Sequence, residues 1–387
     1  MYRIFCLIVS MITHCAVLDA QSASFPDSTR SCPGCDLRRA RLFAAELVGA
    51  DLRRADLYWA NLKRADLRGA LLDSADLRGA LMHEARLDSA SLVGADLRGT
   101  VLLDLELADA DLRGARLDSA DLRRVRARGA HWQGASLRGV FMHEADLTAG
   151  MLAQAELVGA DLREALLDSA DLRGARLDSV NLRGASLRGA NLHSATLQHA
   201  ELDKASLQGA ELVDADLFDA SLQGANLRGA NLDRAVLRLA DLGHANLRGA
   251  QLPTADLRGA RLDSADLREA QFKGANLWRA SMRGALLVDA GLSRCRLERV
   301  DLLRADLRRA DLRLVNMRDA LLRHARLDSA DLRGAVLQGA DLRGAFFKGA
   351  DLRDADIAEA DWQNAVLTGA VWVDGRVCGG GSVGHCK

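Results

Sequence analysis

The stretch Ala65-Asp66-Leu67-Arg68-Gly69-Ala70 holds the pattern that organises the whole chain. Take its leucine as position i. From Leu37 to Trp372 a central residue recurs at every fifth position, 68 units without insertion or deletion. Leu fills 57 of these central positions and Ala fills 58 of the i−2 positions, so two apolar slots of fixed size alternate along the chain. The i−1 slot is usually Asp, Asn, Arg, Ser or Glu. The i+1 slot is often Arg or Asp, and i+2 is often Gly, Ser or Arg.

A period of five suits neither regular element. On an α-helix five residues turn about 500°, so successive leucines would spiral around the cylinder instead of forming one stripe. On a straight strand, i and i+5 point to opposite faces. The pattern is buried if the chain bends by about a quarter-turn after each unit. Every Leu and Ala then points inward, and four units close a square coil of 20 residues. Gly, Ser and Asp near i+2 suit repeated tight corners. The i−1, i+1 and i+2 residues point outward and carry the charge.

The A-(D/N)-L-x-x pattern over residues 35–374 resembles the pentapeptide-repeat proteins. The resemblance implies an all-β fold, a right-handed quadrilateral parallel β-helix. With four units per coil the 68 units make about 17 coils, and at ~4.8 Å per coil the stack is roughly 80 Å long. Each coil touches only its neighbours, so stability is expected to be nearly additive along the axis.

Departures from the motif are expected to compensate one another. Leu105 and Val125 are large for i−2 slots and lie one coil apart, while the central residue Ala127 is small. Close packing requires this kind of volume exchange. Both ends of a β-helix are bare sheet edges and need covering. The last four central residues are Ile357, Trp362, Leu367 and Trp372, and the two indoles are expected to plug that end.

Residues 1–22 resemble a secretory signal peptide, with Arg3 before an apolar run from Ile4 to Ile12 and a small-residue cleavage zone at Ala20 to Ala23. The run is too short to span a membrane. Residues 23–34 are then an N-terminal cap segment, 35–374 the repeats and 375–387 a C-terminal cap. Cleavage would leave Cys32, Cys35, Cys295, Cys378 and Cys386. Cys295 falls in an inward slot. The pairs Cys32/Cys35 and Cys378/Cys386 read as two local disulfide clasps of an exported protein. A redox CxxC and a zinc site are the competing readings. The first expects a βαβ context, and the second would require two distant ends to meet.

Lys+Arg number 52 against 53 Asp+Glu, and no face of the square carries a net charge beyond −2. That balance excludes a bulk-charge nucleic-acid binder and the dense phosphate-like array of a DNA mimic. The mimic matters because the resemblance also implies an alternative, an inhibitor of a DNA-binding enzyme such as gyrase. No nucleophile–base pair, phosphate loop or dinucleotide fingerprint stands out, so no enzyme and no cofactor is expected. His83 and His143 each stand in a Met-His-Glu-Ala string, but three coils apart, ~14 Å, they are too distant to share a metal, and no metal site is expected. Tyr58, Trp59, Phe218 and Trp278 fall on the one face that begins at Leu37, a candidate partner face. The expected protein is a non-enzymatic scaffold or interaction rod, periplasmic or secreted, and a monomer. Its partner would be an unknown protein or cell-surface polymer, with no nucleic acid and no membrane span.

Overall fold

The computed structural model describes residues 31–387, so the signal-peptide segment 1–22 and most of the cap segment 23–34 lie outside the described residues. The chain divides into two compact units, Met1–Phe141 and Met142–Lys387, and the described residues of each are built the same way.

One repeat unit accounts for its own backbone. The i−1 residue forms a parallel bridge with the residue 20 positions on: Glu46 pairs with Asp66, and Asp66 with Arg86. The Asp66 N–H donates to Ala45 O of the preceding coil at 2.9 Å. The Leu67 and Gly69 N–H groups donate to Arg86 O and Asp88 O of the following coil, at 2.7 and 3.0 Å. The Ala70 N–H closes the corner onto Leu67 O at 3.0 Å. Four of five N–H groups thus find carbonyls. The fifth, on Arg68, points outward and donates to Asp66 Oδ1 at 3.3 Å. Buried or edge backbone groups must be paired, and this is the physical reason that Asp or Asn dominates the i−1 slot.

The corners are turns with a left-handed third residue, the signature of type II geometry. Gly69 has φ +62°, and the same holds at every fifth residue from Gly34 to Gly369. Of these 68 corners, 42 carry a side chain, including Trp59, Leu239 and Leu314. A left-handed L-residue costs about 1–2 kcal/mol, against ~1.5–3 kcal/mol gained by each buried Leu. Core burial therefore dictates the corner geometry, and glycine is preferred there without being required.

In the first unit the bridge ladder runs from Ser31 to Phe141 in steps of 20 residues. Cys32 already occupies a central slot, and Gly34 the corner that follows it. From Leu47 on the inward Leu and Ala are fully buried, as are Leu105, Val125, Ala127 and Trp132, whereas Leu37 and Ala40 in the first coil are half-buried. Ala127 and Trp132 are successive central residues of one coil, so the small side chain accompanies the largest one. Thr100, in an Ala slot, satisfies its hydroxyl on Leu97 O at 2.5 Å.

In the second unit the ladder runs from Asp146 to Val371. Phe272 and Phe347 replace Leu in the core without becoming exposed. At the C-terminal end the rings of Phe347, Trp362 and Trp372 pack against one another in succession, tilted and then edge to face, 5.1 and 5.2 Å between centroids, and plug the last coil. Beyond it the chain reverses. Val377 and Val383 pair antiparallel with Val371 and Val366. The Leu367 and Gly369 N–H groups, which elsewhere would meet a further coil, donate instead to Ser382 O and Cys378 O. Among the described residues no helix is long and apolar enough to cross a membrane.

Candidate functional site

The outward side chains fall into rows, and most of each row is absorbed in coil-to-coil pairing. In the commonest unit Arg at i+1 forks onto Asp at i−1: Arg68 Nε and Nη2 reach Asp66 Oδ1 and Oδ2 at 2.7 and 2.5 Å. The Arg68 guanidinium holds the Asp66 carboxyl below its ordinary range. The same fork brings Asp36, beside Arg38, down to about 2. Some guanidiniums also lean toward the next coil, as Arg343 does toward Asp361 at 3.5 Å. Exposed pairs of this kind contribute about 0–1 kcal/mol each. They leave no face with a net charge beyond −2.

A second arrangement serves units whose i−1 residue is neither Asp nor Asn. In Leu117-Asp118-Ser119 the carboxylate does not close its own corner. Asp118 Oδ1 accepts the Arg138 N–H one coil on, at 3.2 Å, together with the Ser136 hydroxyl. Asp168, Asp203 and Asp263 do the same for Arg188, Gln223 and Arg283. The carboxylates that looked like corner chemistry in the sequence are inter-coil clasps.

The four aromatic candidates stand partly outside this scheme. In the first unit Trp59 is 57 % exposed and Tyr58 is 38 % exposed. Their rings meet edge to face at 6.3 Å, and Arg78 lies 5.5 Å above Tyr58. In the second unit Phe218 and Trp278 occupy the same i+1 column three coils apart, ~14 Å by the coil spacing, with Arg238 and Arg258 in the slots between them. Phe218 is flanked by His199 at 5.6 Å and Arg238 at 5.7 Å. Arg279 covers one side of the Trp278 indole at 4.4 Å. Tyr58, Phe218 and Trp278 therefore each have a cation against the ring, whereas the ring contact of Trp59 is with Tyr58.

The cysteines sort as their slots suggest. Cys32 and Cys35 flank one corner with Cα atoms 5.5 Å apart. Cys378 and Cys386 close the C-terminal reversal at 4.9 Å. Both separations are within disulfide reach. Cys295 is buried, donates to Phe272 O at 3.0 Å, and has its thiol pushed up to about 12 by burial. It is a core residue and an inert thiol.

An open groove of about 770 Å³ lies where Gly291 leaves an outward slot without a side chain, lined by Gln271, Lys273, Arg294 and Arg313 among others. The Gln271 amide folds over Gly291 and fills the gap a Cβ would occupy. No nucleophile is paired with a base there.

What these features define is a repeat protein whose interior is uniform and whose chemistry is confined to its outer rows. The family profile of pentapeptide repeats matches segments from residue 31 to residue 371, and the chain belongs to that family. No match is found among the curated proteins. Among solved structures the chain is similar to HetL, a pentapeptide repeat protein involved in heterocyst differentiation regulation in the cyanobacterium Nostoc, at 29 % identity over 72 % of this chain and 91 % of that one, with a TM-score of 0.20. It is similar to QnrB1, a plasmid-mediated fluoroquinolone resistance protein, at 18 % identity over 53 % of this chain and 90 % of that one, with a TM-score of 0.33. A pentapeptide repeat protein of the Arabidopsis thaliana thylakoid lumen is 31 % identical over 26 % of this chain and 63 % of that one, with a TM-score of 0.12. At these TM-scores the likenesses carry no functional argument.

Proposed function

We propose that the protein is a non-enzymatic, exported scaffold that binds a partner protein or cell-surface polymer through outward aromatic side chains. In this reading it is a right-handed quadrilateral β-helix of about 17 coils in all, periplasmic or secreted, and monomeric. The observation that carries the proposal is the fate of the outward rows. Asp, Arg and Ser are consumed in pairing within and between coils, whereas Trp59 and Trp278 keep apolar surface in solvent. Aromatic anchors beside arginine are the residue types that dominate binding hot spots. Export is supported by the two cysteine pairs, since such clasps persist in oxidising compartments.

The test is retention of a partner from the organism's own envelope fraction by the mature protein and by a Phe218→Ser, Trp278→Ser double variant. A partner held by the parent and lost by the variant supports the reading; equal retention ends it. Mass spectrometry of the natural protein tests export separately: an intact Met1 with free thiols would overturn it. The alternative, a DNA-mimicking inhibitor of an enzyme such as gyrase, has less support. Its carboxylates would have to act as phosphates, and here guanidiniums neutralise most of them.

A further inference from the structure

We propose that His143, Glu144 and Glu164 form a binding site for a divalent transition-metal ion, with Zn²⁺ as the preferred occupant. All three lie in the second unit. His143 and Glu144 are neighbours at the i+1 and i+2 slots of one coil, and Glu164 is the i+2 residue of the next. One ligand atom from each lies within 4.8 Å of the other two.

The imidazole is set for ligation. Its Nδ1 donates to the Arg163 carbonyl oxygen at 2.9 Å, which fixes the tautomer and leaves the Nε2 lone pair outward. Nε2 lies 3.2 Å from Glu144 Oε1. Metal–ligand bonds of about 2.0–2.2 Å space adjacent ligand atoms by roughly 3–3.5 Å, so this pair already has the separation an ion requires. Glu164 closes the remaining gap by side-chain rotation.

The surrounding cations are committed elsewhere. Arg163 is held by Asp161 at 2.6 Å. Arg183 is drawn to Glu201 and Asp203, at 3.5 and 3.2 Å. Gly184, one coil beyond Glu164, offers it no side chain; only a Cβ added there would come within 3.4 Å of Glu164 Cγ. Among the described residues no salt bridge or hydrogen bond engages the Glu164 carboxylate. Two stacked carboxylates repel each other, and a dication beside an imidazole resolves that repulsion. One nitrogen and two oxygens suit Zn²⁺ better than Ca²⁺ or Mg²⁺, which prefer all-oxygen shells.

The first unit contains a natural control. Met82-His83-Glu84-Ala85 repeats the same string, and His83 Nε2 lies 3.1 Å from Glu84 Oε1. There Arg64 takes Glu84 at 2.7 Å and Arg124 takes Asp104 at 2.7 Å. The His83 Nδ1 is buried without a partner. The string alone is therefore not the site; what makes one is the acidic residue 20 positions on, which no guanidinium reaches at salt-bridge distance although Arg163 lies close enough to feel its charge.

The experiment is calorimetric titration of tag-free mature protein with ZnCl₂, CaCl₂ serving as the comparison ion, alongside His143→Ala, Glu164→Gln and His83→Ala variants. The expected result is one saturable Zn²⁺ site, weakened at least tenfold by His143→Ala and by Glu164→Gln, unchanged by His83→Ala, with no saturable Ca²⁺ site. Long-range ¹H–¹⁵N spectra provide a second readout, in which Zn²⁺ shifts the Nε2 resonance of His143 and leaves that of His83 in place. Absence of saturable Zn²⁺ binding, equal loss in His83→Ala, or Ca²⁺ binding as tight as Zn²⁺ would each overturn the proposal.

Discussion

The indole of Trp59 lies over Gly79, the corresponding corner one coil further on, so closely that a Cβ on Gly79 would stand 3.0 Å from the indole Cε2 and Nε1. Leu239 lies over Gly259 and Leu314 over Gly334 in the same way, where an added Cβ would come within 2.9 and 2.8 Å. An oversized corner residue is thus accommodated by glycine in the corner that follows. The expected outcome of Gly79→Ala is a loss of about 2 kcal/mol, with about half from the left-handed backbone and the rest from displacing the ring. Gly69→Ala, where nothing lies within 4 Å of the added atom, isolates the backbone part at about 1 kcal/mol. Urea denaturation of both variants checks the difference, and equal losses would show that the indole contact contributes nothing.

Asp118 contributes through the coil beyond its own. Replacing it with Ala leaves the Arg138 N–H and the Ser136 hydroxyl without their acceptor. Loss of a part-buried acceptor costs about 1–3 kcal/mol, so Asp118→Ala is expected to lower stability by that amount. Asp118→Asn keeps an acceptor oxygen and is expected to recover most of it. Ser119, its neighbour in the same corner, makes neither bond, and Ser119→Ala is expected to stay within ~0.5 kcal/mol of the parent. Denaturant midpoints order the three variants.

The period, the inward slots and the plugged C-terminal end were legible because each is a local pattern of size and polarity. The coil-to-coil code is also present in the sequence, but at a separation of 20 residues. Nine i+1 residues are Asp (73, 88, 118, 168, 178, 203, 233, 263 and 328), and in every case the i−1 residue of the next coil is neither Asp nor Asn. Eight of these carboxylates accept the i+1 N–H there. The ninth, Asp233, faces Pro253, which has no N–H, and takes the Thr254 hydroxyl instead. Reading Asp and Ser near i+2 as corner residues missed this, because a turn explains the residue types without explaining their partners. The same limit hid Glu164: comparing His83 with His143 searched along the chain for a second imidazole, whereas the third member of the proposed site is stacked one coil above. The cations over Tyr58, Phe218 and Trp278 were likewise invisible to a reading that sorted aromatic residues by face alone.

The Asp–Arg forks predict the direction of acid sensitivity. Asp36 is lowered from an ordinary 3.8 to about 2 by Arg38, and Asp51, Asp66 and Asp76 are lowered by Arg53, Arg68 and Arg78. A carboxylate whose folded pKa is depressed contributes stability that is fully present above its unfolded value and is lost as pH falls through the folded one. Stability is therefore expected to be flat from neutrality to about pH 4 and to fall between about pH 4 and pH 2. These groups are largely exposed, so each step is small and the loss accumulates over many pairs. Melting temperatures across pH 7 to 2 check the profile. High salt should shrink the loss, because screening weakens the forks in the folded state. A midpoint that drops already between pH 7 and 5 would overturn this account.

The C-terminal reversal makes the strongest mechanical prediction. Cys378 O and Ser382 O receive the Gly369 and Leu367 N–H groups that a further coil would otherwise satisfy, and the Cys378–Cys386 pair closes that loop. A disulfide closing a loop of this size is worth about 2–3 kcal/mol in the chain-entropy account. Because coils interact with nearest neighbours only, Cys386→Ser is expected to loosen the last coil first and leave distant ones unaffected. Hydrogen exchange should show lost protection at Leu367 and Gly369, with Leu247 and Leu257 unchanged. Removing residues 375–387 goes further, since it uncovers the edge-to-face pair Trp362 and Trp372 together with a bare sheet edge. That variant is expected to associate end to end, visible as a concentration-dependent rise in mass by light scattering, while Cys386→Ser stays at its original mass. If the truncated protein remained at constant mass with Leu367 still protected, the plug alone would suffice to close the helix and the reversal would have no capping role.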